Sequence, residues 1–203
     1  MPDDKNHVTS KGKKRNNKRL TAFLVALLLL ALAAFLFLIL SSEVDKLTYK
    51  LTNVSAIARY SEEYDLDPYL VAAIIHVESG NRETAVSPKG ALGLMQLMPT
   101  TAEWIAEKLG EPFDLDSVTE PYTNIRYGCW YLNFLFERFM PVPTVLAAYN
   151  AGHNAVRGWL SDSKYSDDGI TLKRIPYPET EHYVEKVDRA YEKYKKLYPK
   201  AFD

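Results

Sequence analysis

The stretch P-Y-L-V-A-A-I-I-H-V-E-S-G, residues 68–80, decides the fold of this chain. Asp67 and Pro68 before it are typical of a helix start, because aspartate caps free N–H groups and proline suits the first helical position. Gly80 predicts the helix end. The helix is apolar on nearly every side, so we expect it in the core. Its last turn nevertheless carries a carboxylate, Glu78.

The rest of the chain also favours a mainly α fold, because helical spacing is common and strand-like alternation is scarce. Further helices are predicted over about 54–64, from Thr100 to Gly110, and over 122–138, 143–151, 153–161 and the tyrosine-rich C-terminal stretch. The single cysteine, Cys129, excludes an intrachain disulfide. The four histidines form no H-x-x-x-H pair, so we expect no metal site and no cofactor.

Residues 20–40 predict one transmembrane helix, since only Thr21 among them is not apolar. At about 1.5 Å per residue the run spans roughly 30 Å, the thickness of a bilayer core. Residues 1–19 hold seven basic and two acidic residues. Positive charge stays cytoplasmic, so we expect the N-terminus inside and the rest of the chain outside the cell membrane, extracellular or periplasmic. The alternative is a cleaved signal peptide, whose apolar core is normally shorter.

These features predict four parts: a basic cytoplasmic tail (1–19), a transmembrane anchor (20–40), a stalk (41–53) and a folded domain (54–203). A basic tail can also indicate nucleic-acid binding. The neighbouring anchor explains the charge better, so we expect no nucleic-acid partner.

Three properties of the predicted helix disfavour a charge on Glu78. Apolar neighbours remove its water, the helix C-terminus carries partial negative charge, and no lysine or arginine precedes it by one turn. A carboxyl group that is still protonated near neutral pH is a general acid. A glutamate at a helix end that simply points into solvent is the alternative.

The sequence around Glu78 favours the chemical interpretation. G-A-L-G-L-M-Q-L-M-P-T-T-A at 90–102 and A-A-Y-N-A-G at 147–152 bring amide and phenol groups that suit sugar hydroxyl and acetamido groups. A single acidic group among neutral hydrogen-bonding residues suggests glycan chemistry.

Five motifs in order resemble the lytic transglycosylase catalytic (SLT) domain family. They are V-A-A-I-I-H-V-E-S, A-V-S-P-K-G-A-L-G-L-M-Q-L-M-P-T-T-A, N-I-R-Y-G-C-W-Y-L, L-A-A-Y-N-A-G and I-P-Y-P-E-T-E-H-Y-V, within about residues 55–197. The resemblance implies a goose-type, lysozyme-like helical domain. It also implies a reaction that cleaves the β-1,4 bond between N-acetylmuramic acid and N-acetylglucosamine in peptidoglycan strands, leaving 1,6-anhydromuramic ends.

The resemblance also implies roles for the matching residues. Glu78 aligns with the catalytic acid and base, and Ser79 would support it by hydrogen bonding. The substrate groove would take the remaining matches, namely Gln96, Met98, Tyr149, which lies against the glutamate, Asn150, which holds an N-acetyl group, and Glu179 and Tyr183, which close the site.

Two other functions compete with this expectation. A hydrolytic muramidase would need a second carboxylate that positions water, such as Asp114, Asp116 or Glu83, although each has an ordinary loop or capping explanation. A membrane-held scaffold that binds glycan without cleaving it is the second alternative, and the intact Glu78-Ser79 pair argues against it.

Overall fold

The computed structural model describes the backbone of residues 7–203 and the side chains of residues 20–41 and 43–203. The side chains of the basic tail predicted over residues 1–19 lie outside that part. The chain forms two compact units, residues 1–48 and 49–203. Each is described by itself.

The described part of the first unit is one helix, α1, His7–Thr48. Its portion Leu20–Thr48 is long and apolar enough to cross a membrane, with a mean hydropathy of 3.2. Part of the segment predicted as a stalk therefore continues this helix. Within this extension, the hydroxyls of Ser41 and Thr48 donate to carbonyls of the preceding turn, and Lys46 pairs with Glu43 at 3.0 Å.

The second unit is helical, which confirms the mainly α prediction. Its helices are α2 (Val54–Glu63), α3 (Pro68–Ser79), α4 (Pro99–Leu109), α5 (Pro121–Phe136), α6 (Val142–Ala151), α7 (His153–Leu160) and α8 (Pro178–Leu197). A 3₁₀ turn, Asp116–Thr119, precedes α5. Tyr49 and Leu51, from the second part of the predicted stalk, pack against the core of this unit.

α3 is the central helix of this unit, and its ends are those the sequence predicts. The Asp67 side chain accepts from the Tyr69 N–H at 2.8 Å, and Gly80 ends the helix in a left-handed conformation with φ 62°. Residues 70–75 are all buried, and α3 packs against α8 and α2. The helix therefore holds its last turn, with Glu78, at a fixed place beside the core.

A loop between α3 and α4 forms the other side of the site. Antiparallel bridges join Val86 to Leu92 and Leu92 to Leu97, so the loop folds back on itself twice. Gly93, with φ 76°, lies against the Asn124 side chain of α5, and a Cβ atom there would overlap the amide. The absence of a side chain at this position lets the loop rest directly on α5.

Candidate active site

A cavity of about 590 Å³ opens beside the end of α3, a volume typical of a small-ligand site. Its wall carries six of the eight residues singled out from the sequence. They are Glu78, Gln96, Met98, Tyr149, Asn150 and Glu179. The loop after α3, the end of α6 and the start of α8 thus bring together groups that lie up to about a hundred residues apart in the chain.

Glu78 is the acidic group closest to the core on this wall. Burial raises the pKa of its carboxyl from 4.5 to about 7, and a weak interaction with the Tyr183 hydroxyl opposes that rise. The direction agrees with the expectation from the sequence, and burial is its main cause. A carboxyl group with this pKa is protonated in about half of the molecules near neutral pH, so it can both give and accept a proton.

Tyr183 lies behind Glu78 on α8 and is 6% exposed. Its hydroxyl has no conventional hydrogen-bond partner among the described residues. Burial, followed by the charge of Glu78, raises the pKa of this phenol well above its ordinary value. The phenol therefore stays neutral, and its hydroxyl lies near the carboxyl group in a geometry short of a full hydrogen bond.

Ser79 differs from the expectation. Its hydroxyl donates to the Ile75 carbonyl oxygen at 3.0 Å, one turn back in the same helix, and the residue is buried away from the cavity wall. Successive helical residues point about 100° apart. The side chain that follows Glu78 consequently turns into the core, where its own helix offers the nearest acceptor.

Gln96 lies at a strained corner of the loop, with φ 50°. Its side-chain NH₂ group donates to the Gly93 oxygen at 2.8 Å and to the Ala85 oxygen at 3.2 Å. Both donors are thereby used within the loop, so the side-chain oxygen is the group left for a ligand. Met98, 40% exposed on the same wall, adds an apolar surface.

Tyr149 reaches the cavity from α6. Its hydroxyl donates to the Met95 carbonyl oxygen at 2.9 Å rather than to a ligand position. Burial and then the charge of Glu78 raise its pKa well above the ordinary value, so the phenol is neutral. The Tyr149 ring excludes water from the Glu78 carboxyl group and so contributes to its apolar surroundings.

Asn150 is the next residue along α6, and its side-chain oxygen accepts from the Thr180 hydroxyl at 2.8 Å. This leaves its NH₂ group available toward the cavity. Thr180 was not singled out from the sequence, although it lies in a quoted motif. The same holds for three further wall residues, Ser87, Lys89 and Tyr177. Motif membership was the available signal, but the Asn150 oxygen that Thr180 meets lies on another segment, α6.

The carboxylates considered for a water-based reaction lie elsewhere. Asp114 accepts from the Asp116 N–H at 3.1 Å, and Glu83 accepts from the Asn53 amide at 3.3 Å. None of the three lines the cavity. The wall carries one second carboxylate, the exposed Glu179. Among residues 20–41 and 43–203, no group of three or more His, Cys, Asp or Glu side chains is placed to hold a metal ion.

The model of the transglycosylase SLT domain matches residues 55–170, which is more than half of the chain. The chain belongs to the SLT transglycosylase domain family. The matched range includes Glu78, Gln96, Met98, Tyr149 and Asn150, and it ends before the start of α8.

Relatives of this SLT chain include the soluble lytic murein transglycosylase of Salmonella typhimurium, 36% identical over 140 residues, which cover 67% of this chain and 22% of that protein. The endo-type membrane-bound lytic murein transglycosylase A of Klebsiella pneumoniae is 29% identical over 63% of this chain and 74% of its own length. The chain therefore spans about a fifth of the longer relative.

Among solved structures, an inactive glutamate-to-glutamine mutant of lytic transglycosylase Slt from Pseudomonas aeruginosa matches with a TM-score of 0.65 and 31% identity. The match covers 75% of this chain and 25% of that protein. The lysozyme-like helical fold expected for the SLT domain is confirmed by this likeness.

Proposed function

We propose that this SLT chain cleaves the β-1,4 bond between N-acetylmuramic acid and N-acetylglucosamine in peptidoglycan without consuming water. The observation that carries the proposal is Glu78: a partly buried carboxyl group with a pKa of about 7, surrounded by amide and phenol groups. The names of the relatives, lytic murein transglycosylases, agree with this reaction.

The first step uses Glu78 as the general acid. Its carboxyl proton passes to the glycosidic oxygen, the bond from that oxygen to the muramic anomeric carbon breaks, and N-acetylglucosamine leaves with a new hydroxyl. Positive charge develops on the anomeric carbon, and the acetamido oxygen of the substrate can stabilise it. Most glycosidases use a second carboxylate for this purpose. The substrate supplies the corresponding group here.

The second step uses the same residue as the general base. Glu78, now ionised, takes the proton from the muramic 6-hydroxyl while that oxygen bonds to the anomeric carbon. The sugar closes into the 1,6-anhydro form, and the proton from the 6-hydroxyl returns Glu78 to its protonated state. A pKa near 7 suits both directions, because each transfer is efficient when the pKa lies close to the working pH.

The other residues would bind the sugar. The Asn150 NH₂ group suits the oxygen of an N-acetyl group, the Gln96 oxygen suits a sugar hydroxyl, and Met98 offers an apolar contact. Glu179, exposed at the start of α8, would close the cavity opposite the loop. Tyr149 and Tyr183 would act on Glu78 rather than on the substrate, and we no longer expect Ser79 to do so.

We propose further that Leu20–Thr48 anchors the protein in the cell membrane with its N-terminus cytoplasmic and the SLT domain outside. The length and apolar character of that helix support this, as does one relative named membrane-bound. The intact mass of protein extracted from membranes tests the anchor, because a cleaved signal peptide would leave a chain that begins near residue 43.

The test of the reaction is digestion of purified peptidoglycan by the full chain in detergent, followed by mass spectrometry of the products. We expect 1,6-anhydromuramic ends from the wild type and none from Glu78→Gln. Reducing ends would indicate a hydrolytic muramidase instead. Absence of any product, with binding retained, would indicate a scaffold and would overturn the proposal.

A further inference from the structure

The backbone of Met95, next to Gln96 in the loop, is held from both sides. Its N–H donates to the Asn124 side-chain oxygen at 2.7 Å, and its carbonyl oxygen accepts from the Tyr149 hydroxyl at 2.9 Å. Asn124 belongs to α5 and Tyr149 to α6. The backbone of this one loop residue is therefore held between two helices. The residue that follows Met95 is Gln96.

Asn124 is fully buried, and every polar atom of its side chain is used. Its oxygen accepts from the Met95 N–H, and its NH₂ group donates to the Leu92 oxygen at 3.0 Å and to the Val118 oxygen at 2.8 Å. The side chain thus joins the loop to the 3₁₀ turn before α5. An amide that meets three backbone groups with correct donors and acceptors fixes their relative positions closely.

The side chain of Met95 is seated on the same helix. A Cβ atom at Gly128, one turn after Asn124, would overlap the Met95 sulfur. The missing side chain at Gly128 makes room for Met95, while Asn124 holds its backbone. Both contacts come from the third quoted motif, whose residues had no assigned function.

The held Met95 carbonyl decides where the Tyr149 proton goes. A phenol has one proton to donate, and this one is given to the Met95 oxygen. Tyr149 stands on the cavity wall beside Glu78, close enough for the glutamate charge to raise its pKa. If the Met95 carbonyl moved away, the freed hydroxyl would have the Glu78 carboxylate as an alternative acceptor.

The other groups near Glu78 do not mask an effect of the Tyr149 hydroxyl on its pKa. Burial and the Tyr183 hydroxyl from α8 set its pKa. Lys89 and Glu179 are the charged groups that share the cavity wall, and α2 contributes no residue to it. Cys129 and Tyr131 lie near Tyr149, and burial raises the pKa of both, so neither carries charge near pH 7.

We propose that Asn124 is a positioning residue for Glu78. By holding the backbone of Met95, Asn124 keeps the Tyr149 hydroxyl bonded to the loop and away from the Glu78 carboxylate. The effect on catalysis rests on the proposed function, in which Glu78 is the acid and the base. Three contacts in succession connect α5 to the end of α3: Asn124 with Met95, Met95 with Tyr149, and Tyr149 with Glu78. Together they affect how readily Glu78 ionises.

The test follows the ionisation of Glu78 in the full chain in detergent by the pH dependence of its ¹³C-labelled carboxyl resonance, assigned by its loss in Glu78→Gln. In Asn124→Ala, which removes the side-chain oxygen that holds Met95, we expect the midpoint to fall from near 7 toward the ordinary glutamate range. Above the midpoint, the protonated fraction falls tenfold for each unit by which the midpoint drops. A drop of about one unit should therefore cause about a tenfold loss of cleavage at pH 8, with much less at pH 5.

Three comparisons separate positioning from general destabilisation. Tyr149→Phe should leave the Glu78 midpoint near 7, and Asn124→Ala should cause no further fall in that background. Leu132→Ala, a buried change on the same helix, should lower the melting temperature without moving the midpoint.

The proposal is overturned if Asn124→Ala leaves the midpoint unchanged, or if Tyr149→Phe raises it, since the hydroxyl would then already be donating to Glu78. Tyr149→Phe still tests the proposal if Asn124→Ala does not fold. The resonance needs no substrate, so a protein that does not cleave peptidoglycan would refute the proposed function while the positioning result stood.

Discussion

Glu78 and Glu111 are two partly buried glutamates of one domain with opposite electrostatics. Burial raises the pKa of both carboxyl groups. At Glu111 that effect is outweighed by the hydrogen bond from Tyr127 and by the hydrogen bonds and charge of Arg126, so its pKa falls below the ordinary value. The Tyr127 oxygen lies 2.6 Å and the Arg126 Nη2 2.9 Å from the carboxylate. Glu78 has a single weak donor, and its pKa rises to about 7.

Two properties separate the reactive carboxylate from the structural one in this fold: Glu78 is buried more deeply, and it lacks the strong hydrogen-bond donors that Glu111 has. Glu111 follows the end of α4 and ties it to α5 through Arg126 and Tyr127. Glu78 ends a helix whose neighbours are apolar or already hydrogen-bonded elsewhere: Tyr149 to Met95, and Ser79 to Ile75. Because few hydrogen-bond donors reach the Glu78 carboxyl group, its protonated form is favoured.

The largest expected effect is on activity. Glu78→Gln removes the transferable proton and should reduce peptidoglycan cleavage by about 10³-fold, within the usual range for a general acid and base. Glu111→Gln, the matched control, should keep cleavage within about twofold, because it touches no wall of the cavity. Equal losses in the two variants would show that the comparison has no catalytic meaning.

The next effect is on stability at alkaline pH. Native Glu78 binds a proton more tightly than the unfolded chain does, so its contribution is fully present below pH 4.5 and is lost as pH rises through about 7. Glu78→Gln should therefore increase the free energy of unfolding by about 3 kcal/mol at pH 8 relative to the difference at pH 4. Urea denaturation at both pH values measures this, and a gap that widens toward acid would contradict it.

Glu111→Gln should show the opposite sign. Its depressed pKa means that the carboxylate stabilises the native state above pH 4.5, and this contribution is lost as pH falls through the native value. The pair is partly exposed, with side-chain exposures of 32% for Arg126 and 28% for Glu111, so solvent screening limits the cost. We expect a loss of about 1 kcal/mol at pH 7 that disappears in acid, measured by the same denaturation.

The smallest effect comes from the two phenols. Tyr127→Phe removes a short hydrogen bond to Glu111 and should cost about 1 kcal/mol. Tyr183→Phe removes a hydroxyl without a conventional partner among the described side chains and should change stability by less than about 0.5 kcal/mol. It should also move the midpoint of the Glu78 carboxyl resonance above 7, and a fall in that midpoint would exclude the weak interaction.

Much of the fold was predictable because its signals are local. Asp67, Pro68 and Gly80 set the ends of α3, and the prediction of residues 68–79 as a helix is confirmed without change. The direction of the Glu78 pKa shift was also predictable, since an apolar helix that ends on a lone carboxylate has few ways to compensate its charge. The motifs identified the family, and its domain model matches residues 55–170.

Hydrogen-bond partners were less predictable. Ser79 was expected to support Glu78 and instead donates to its own helix. Thr180 was overlooked although it holds the Asn150 oxygen, and Asn124 was quoted within a motif but given no function. In each case the residue type was visible in the sequence, and the partner lay on a segment whose approach the sequence did not specify.

The sequence by itself determined the helices, the apolar N-terminal run and the position of one carboxylate at the end of a core helix, because capping and hydrophobic period depend on near neighbours in the chain. Only the tertiary structure decided which donors reach Glu78 and which are engaged elsewhere. A hydrogen bond depends on distances of a few tenths of an ångström between separate segments, and those distances are set by how the helices pack.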